Sequence, residues 1–191
     1  MRIIAGKYRS RPLRSLRGMD MRPTADRLRE TLFNVVTAGN PSALEGTVWL
    51  DLYAGTGAVG IEALSRGAGE VYFVESSARA AELVRQNLQS LKVASGFRIV
   101  KQEVVRALHK LEAENVVADF IFLDPPYRME EAYRKTLEAL AQLHILTRGT
   151  VVIAEHQKKF DPGEAFASLG RYRKLEQGAA ALSFYRRLAD A

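Results

Sequence analysis

From residue 48 onward, short apolar runs alternate with amphipathic stretches, and this alternation constrains the fold more than any other feature. Residues 48–53, 70–75, 97–101, 119–124 and 150–154 read as strands, while residues 59–65, 78–91, 104–111 and 131–143 carry helical spacing between them. Strands that are apolar along nearly their whole length are buried on both faces, so this pattern predicts a parallel sheet covered by helices on either side. The end of the chain changes character. Residues 172–176 and 180–187 read as a hairpin around Gln177-Gly178, which adds an antiparallel strand. The expected architecture is a mostly parallel, seven-stranded α/β sheet.

The first 40 residues are of a different kind. Nine bases and three acids fall in residues 1–30, while the remaining 161 residues hold 19 of each. The whole net charge of +6 therefore sits at one end of the chain. Such an arm suits a polyanion, and its bases, Lys7, Arg9, Arg11, Arg14, Arg22 and Arg27 among them, are candidates for nucleic-acid phosphates. A targeting peptide or a solvated tail are the competing readings. Gly6 and Pro12 interrupt any amphipathic helix, and no hydrophobic signal core is present. Residues 1–23 read as an extended or hairpin arm with little core, with Arg9 and Arg11 on one face of a strand. Residues 24–37 read as a helix capped by Thr24. The Gly39-Asn40-Pro41-Ser42 break then divides an arm-and-helix unit, 1–40, from the main domain, 41–191. With no cysteine in the chain, disulfides, thiolate metal sites and cysteine nucleophiles are excluded. No apolar stretch approaches the roughly 18 residues of a membrane span.

Two motifs carry chemistry. The first is Leu50-Asp-Leu-Tyr-Ala-Gly55-Thr-Gly57-Ala-Val-Gly60, where a strand runs into a helix. Glycines there let the backbone turn sharply and approach a ligand. Glu75, at the end of the next strand, can accept two hydrogen bonds from ribose hydroxyls. Gly55, Gly57 and Gly60 also fit the dinucleotide fingerprint, so a nicotinamide or flavin is an alternative. Asp51 argues against it. A carboxylate at the end of that strand suits a cationic ligand, such as a methionine ammonium or sulfonium.

The second motif is Asp124-Pro125-Pro126-Tyr127, which ends a buried strand. Two prolines make the loop rigid and leave its carbonyls without local donors. The Asp124 carboxylate and the Pro125 carbonyl could accept both hydrogens of an exocyclic amine, with Tyr127 stacked on the base. His109, His144 and His156 show no metal-ligand spacing and read as surface or helix-end residues. His156 ends a strand and could instead line a pocket.

Asp51-x-x-x-Gly55-x-Gly57 resembles the glycine motif of S-adenosylmethionine-dependent methyltransferases. Asp124-Pro-Pro-Tyr127 resembles the signature of the amino-methyltransferases. Met1-Arg-Ile-Ile-Ala-Gly-Lys-Tyr-Arg-Ser-Arg-Pro-Leu13, Arg22-Pro-Thr-Ala-Asp-Arg-Leu-Arg-Glu-Thr-Leu-Phe-Asn34 and Glu62-Ala-Leu-Ser-Arg-Gly-Ala68 are more specific. Together they resemble the bacterial RsmD family of 16S rRNA guanine-N2 methyltransferases, over nearly the whole chain. The resemblance implies a Rossmann-like class I methyltransferase fold and methyl transfer from S-adenosylmethionine, without a metal, to N2 of one guanine. The substrate would be 16S ribosomal RNA in an assembled or nearly assembled small subunit. It implies that Asp51, Tyr53, Gly55, Thr56, Gly57 and Glu75 hold the cofactor, and that Asp124, Pro125 and Tyr127 hold the base. Glu103 or Gln102, or backbone groups alone, would meet the adenine. The arm would grip RNA, with Arg22 and Thr24 near the pocket mouth. A cytoplasmic monomer is expected. Other substrates (DNA adenine or a protein glutamine) share both motifs, and a non-catalytic RNA-binding module is a further rival.

Overall fold

The structure is a computed structural model, in which residues 1–15, 23–126 and 128–188 are described. After the arm come α1 (Pro23–Val36), β1 (Val48–Leu52), α2 (Ala58–Ser65), β2 (Glu70–Val74) and α3 (Ala78–Ser90). Then follow β3 (Phe97–Val100), α4 (Val104–Ala113), β4 (Ala118–Leu123), α5 (Glu130–Gln142) and β5 (Leu146–Gln157). The chain ends with β6 (Ala165–Phe166), β7 (Leu169–Gln177) and β8 (Ala180–Arg187). The strand order is β3-β2-β1-β4-β5-β8-β7-β6. The first five strands are parallel and the last three antiparallel. The chain reverses direction across the sheet between β1 and β4, where open α/β sheets place their ligands.

Each strand sends alternate side chains to opposite faces. Trp49 and Phe73 join one apolar cluster with Leu32 and Phe33 of α1 and Ile61 of α2. Leu50, Leu52 and Val74 join the other, with Leu108 of α4 and Leu137 of α5. Trp49 is stacked between Phe33 and Phe120, at 5.3 Å from each.

Four expectations need correction. Among the described residues the sheet has eight strands, not seven. Ala165–Phe166 pairs with Leu169 and Gly170, a contact too short to show periodicity. Thr24 is not a cap, because α1 begins at Pro23, whose fixed φ suits the first turn. The arm also has more core than expected. An isolated bridge between Arg2 and Pro12 closes it into a hairpin, one of the two forms expected, but Ile3 and Leu13 are buried in the first cluster. Its turn needs Gly6, at φ 80, because a Cβ there would overlap the Ser65 carbonyl. Finally, Arg9 and Arg11 lie in successive turns rather than on one strand face, their amides bonding the Gly6 and Tyr8 carbonyls.

A buried carboxylate anchors the arm. Glu62 of α2, fully buried, accepts from the amides of Ile4 (2.7 Å) and Ala5 (2.9 Å) and from Arg66 Nε (2.8 Å). Arg29, also buried, lies 3.8 Å from Glu62 and donates to the Arg2 carbonyl at 2.6 Å. Among the described residues, no helix is long and apolar enough to cross a membrane.

Candidate active site

The register brings the acids together. Leu52 of β1 pairs with Val74 of β2 and Leu123 of β4, and Leu123 pairs with Ala154 of β5. Tyr53, Glu75, Asp124 and Glu155 each come one residue later, so they share one level at the carboxyl edge of the sheet. Asp51 sits just beneath. A cleft of about 1640 Å3 opens above this edge. Asp51, Tyr53, Gly55, Thr56, Glu75 and Glu103 line it, as do Asp124 and Pro125. Every predicted cofactor residue except Gly57 therefore faces the same space as the two described residues of the predicted base site. Tyr127 and Arg22 lie outside the described residues, as does the side chain of Thr24.

The glycine loop is held from several sides. Gly55 and Gly57 have φ of 55 and 76, values that L side chains rarely adopt. Asp51 Oδ2 accepts from the Gly60 amide at 2.9 Å, which fixes the start of α2. Glu75 Oε2 accepts from the Gly55 amide at 2.9 Å, and its Oε1 accepts from Ser77 at 2.8 Å. Each oxygen has acceptor capacity left, and Glu75 lines the cleft. The Thr56 carbonyl accepts from Asn87 Nδ2 at 2.9 Å. Asn87 also exchanges hydrogen bonds with the backbone of Arg14, so one side chain joins the arm to the loop. Tyr53 closes a wall, its hydroxyl 2.8 Å from Thr136 Oγ1 of α5.

Glu103 has a structural duty that spacing did not reveal. It caps α4, its carboxylate accepting from Val105 and Arg106 at 3.1 and 3.2 Å. It still lines the cleft. His156 neither lines the cleft nor sits at a surface. It is fully buried in β5, with Nε2 2.9 Å from Ser183 Oγ and Nδ1 2.9 Å from the Gln157 carbonyl. His109 of α4 does line the cleft.

Two cleft residues escaped the sequence reading. Glu155 follows an apolar strand just as Asp51, Glu75 and Asp124 do, so the same signal was available. Arg29 was counted with the arm's bases, yet it is buried and faces the cleft from α1.

Burial sets the electrostatics. It pushes Asp51 up to about 8, against the Gly60 amide and with help from the charges of Asp124 and Glu75. It pushes Asp124 up to about 7. Burial and the neighbouring Asp124 push Glu155 well above the usual carboxylate range, and Arg29 opposes this. The site thus carries more acid than it can comfortably ionise. It is matched to a ligand that brings positive charge or hydrogen-bond donors.

S-adenosylmethionine meets both demands in part. Its ribose diol suits Glu75, its cationic end suits Asp51, and the open space over the left-handed Gly55 admits close approach.

The outer arm is exposed at Lys7, Arg9, Arg11, Arg14 and Arg27. Lys7 lies over the ring of Tyr8, and Arg14 reaches Gln86 at 3.4 Å. These side chains therefore remain available to a polyanion.

Comparison with known proteins agrees with this architecture. Residues 1–186 match the family described as Conserved hypothetical protein 95. The chain is 31% identical to the Escherichia coli ribosomal RNA small subunit methyltransferase D over 190 residues, covering 100% of this chain and 91% of that protein. The solved Escherichia coli protein yhhF superposes with a TM-score of 0.80 at 28% identity, over 100% of this chain and 99% of that one. The putative methyltransferase SMU.776, solved in complex with SAH, has a TM-score of 0.65 at 14% identity, over 84% of this chain and 48% of that one. At that distance it shows the fold alone. The fold is that of class I S-adenosylmethionine-dependent methyltransferases, and the chain belongs to the RsmD family.

Proposed function

We propose that the protein transfers a methyl group from S-adenosylmethionine to the exocyclic N2 of a guanine in small-subunit ribosomal RNA, on an assembled or nearly assembled particle. The observation that carries this reading is the meeting, in one cleft, of the Asp51–Gly55–Glu75 cradle with Asp124 and Pro125. The exposed basic arm and the name of the Escherichia coli relative support RNA as the substrate.

When bound, S-adenosylmethionine supplies a methyl group on a positively charged sulfur. Asp51, the glycine loop and Glu75 would hold it, with Glu103 beside the adenine. The chain's own work concerns the amine. An aromatic amine is a poor nucleophile because its lone pair is shared with the ring. Asp124 and the Pro125 carbonyl accept its two hydrogens, which returns density to nitrogen and stabilises the charge that develops there. Asp124, held near 7, is matched to take the proton the amine sheds. Fixing the amine at the cleft floor supplies the proximity effect. The target base leaves its stack to enter, and Tyr127 is the candidate to stack on it.

The test is to offer labelled S-adenosylmethionine with small subunits lacking the modification, with naked small-subunit RNA, and with large subunits as control. Digested nucleosides are then identified. Label in N2-methylguanosine from small subunits is the expected result. Label in no RNA would overturn the assignment.

A further inference from the structure

We propose that Glu155 selects the base: its carboxylate accepts the ring N1–H of guanine while Asp124 accepts from the neighbouring exocyclic amine. The inference rests on the function proposed above and adds a residue to it.

The placement comes from the sheet. Leu123 and Ala154 are register partners on adjacent parallel strands, so Asp124 and Glu155 follow side by side. Such strands lie about 4.8 Å apart. Leu123 and Ala154 belong to the cluster beneath α4 and α5. Alternation turns the next residues to the opposite face, where Arg29 and Phe122 line the same cleft. The hydroxyl of Tyr133 donates to the Glu155 carbonyl at 2.8 Å and reaches the Pro125 carbonyl at 3.4 Å, which ties the two strand ends together.

The chemistry comes from what these carboxylates lack. Among the described residues, neither carboxylate has a hydrogen bond or an ion pair. Both line the cleft, so their acceptor capacity is open to a ligand that enters it. Burial and the charge of Asp124 push Glu155 up, Arg29 opposes this, and an N1–H aimed at the carboxylate favours its charged, accepting form further. Guanine is the base whose amine-bearing edge offers two adjacent donors, N1–H and N2–H. In adenine and cytosine the ring nitrogen beside the amine is an acceptor. Facing a carboxylate, it would set lone pair against lone pair. Two acceptors side by side therefore admit guanine and reject the other amine-bearing bases.

The test uses full-length protein and small-subunit RNA carrying either guanine or 2-aminopurine at the modified position. 2-Aminopurine keeps the N2 amine and lacks the N1 hydrogen. The wild type is expected to prefer guanine by about 100-fold or more in kcat/KM. Glu155→Gln keeps the side chain's shape, and its amide can donate to the bare N1 of 2-aminopurine. The variant is expected to lose activity on guanine and to narrow the preference to within about 10-fold, with cofactor affinity unchanged within about 3-fold. A structural role would lower both rates together, so an unchanged ratio in the variant overturns the proposal. So does a wild type that uses both bases equally, a result that needs no variant. If the wild type methylates guanine and only the ratio fails to move, the role of Glu155 falls and the function stands. If it methylates neither base, both fall.

Discussion

Glu62→Ala should detach the arm from the domain at a cost large enough to measure easily. The carboxylate is fully buried and has no route to water. It accepts from the Ile4 and Ala5 amides at 2.7 and 2.9 Å and from Arg66 Nε at 2.8 Å. Arg29, 5% exposed, lies 3.8 Å away. Hydrogen bonds to a charged acceptor are worth about 1.5–3 kcal/mol each, but three that share one carboxylate do not add. The larger effect is what the variant leaves behind: two backbone donors and Arg66 Nε without an acceptor, and a buried Arg29 whose remaining carboxylate partner is Asp26 at 3.0 Å. Breaking a buried pair in this way costs about 3–5 kcal/mol. For a chain of this size that corresponds to a fall in melting temperature of about 6–20 °C. Glu62→Gln keeps one acceptor and turns an amide group toward donors, so it should cost about 2 kcal/mol or more. Glu138→Ala is the control. Its partner Arg134 and Glu138 itself are 55% and 46% exposed, and that loss should stay below about 0.5 kcal/mol. Calorimetry of the three variants gives the ranking, and limited proteolysis shows whether the arm is the part released. A fall below about 2 °C for Glu62→Ala would refute the view that this carboxylate carries the arm.

Three further outcomes follow from the cleft and the arm. Asp124→Ala should slow methyl transfer about 100–1000-fold while cofactor affinity, measured by calorimetric titration, stays within about 3-fold; full activity would contradict its place at the amine. Asp51 is held up to about 8, so its protonated form is favoured in the folded protein. The stability this gives is complete below its unfolded value near 3.8 and is lost as pH rises through about 8. Asp51→Asn should therefore melt with the wild type near pH 3.5 and increasingly above it toward pH 8, and equal melting at both ends would deny the burial cost. Replacing Arg9, Arg11 and Arg14 together should weaken RNA binding and lower the salt slope by about 2. An unaltered slope would mean that these side chains meet no phosphate.

What was legible in the sequence was the parallel sheet and the acids that end its strands. Strand-to-loop transitions are local, and Asp51, Glu75 and Asp124 each announce one. Contacts made across the chain were not legible. Nothing local to Glu62 points to the arm that folds back to meet it, 58 and 57 positions away in the chain. Arg29 reads as one more base of a polyanion-binding arm until its guanidinium is seen buried between that carboxylate and Arg2. Glu103 occupies the position expected for an adenine contact, and the need to cap α4 is an equally good physical reason for a carboxylate there. His156 looked peripheral because β5 runs to Gln157, beyond its apolar stretch, and β8 covers it.

The arm and the cleft belong to one electrostatic arrangement. Parallel strands all end at the same edge, so acids distant in sequence converge there; Asp124 and Glu75 make Asp51 harder to ionise, and Asp124 does the same to Glu155. An open site of this kind would be expected to exclude the next negative charge, yet its substrate is proposed to be a polyanion. The chain separates the two problems in space. Outward bases on the arm would face the phosphates of the proposed substrate, while Arg29, on the inward side of α1, partly offsets the charge of Glu155. The cleft itself then suits ligands that bring net positive charge or donors, a sulfonium cofactor with its ribose hydroxyls and the donor edge of a neutral base. Asn87, bonded at once to Arg14 and to the Thr56 carbonyl, makes the arm part of the cofactor loop's support. Removing that side chain, as in Asn87→Ala, should therefore weaken cofactor binding and RNA binding together, whereas independent arm and domain would lose at most one of the two.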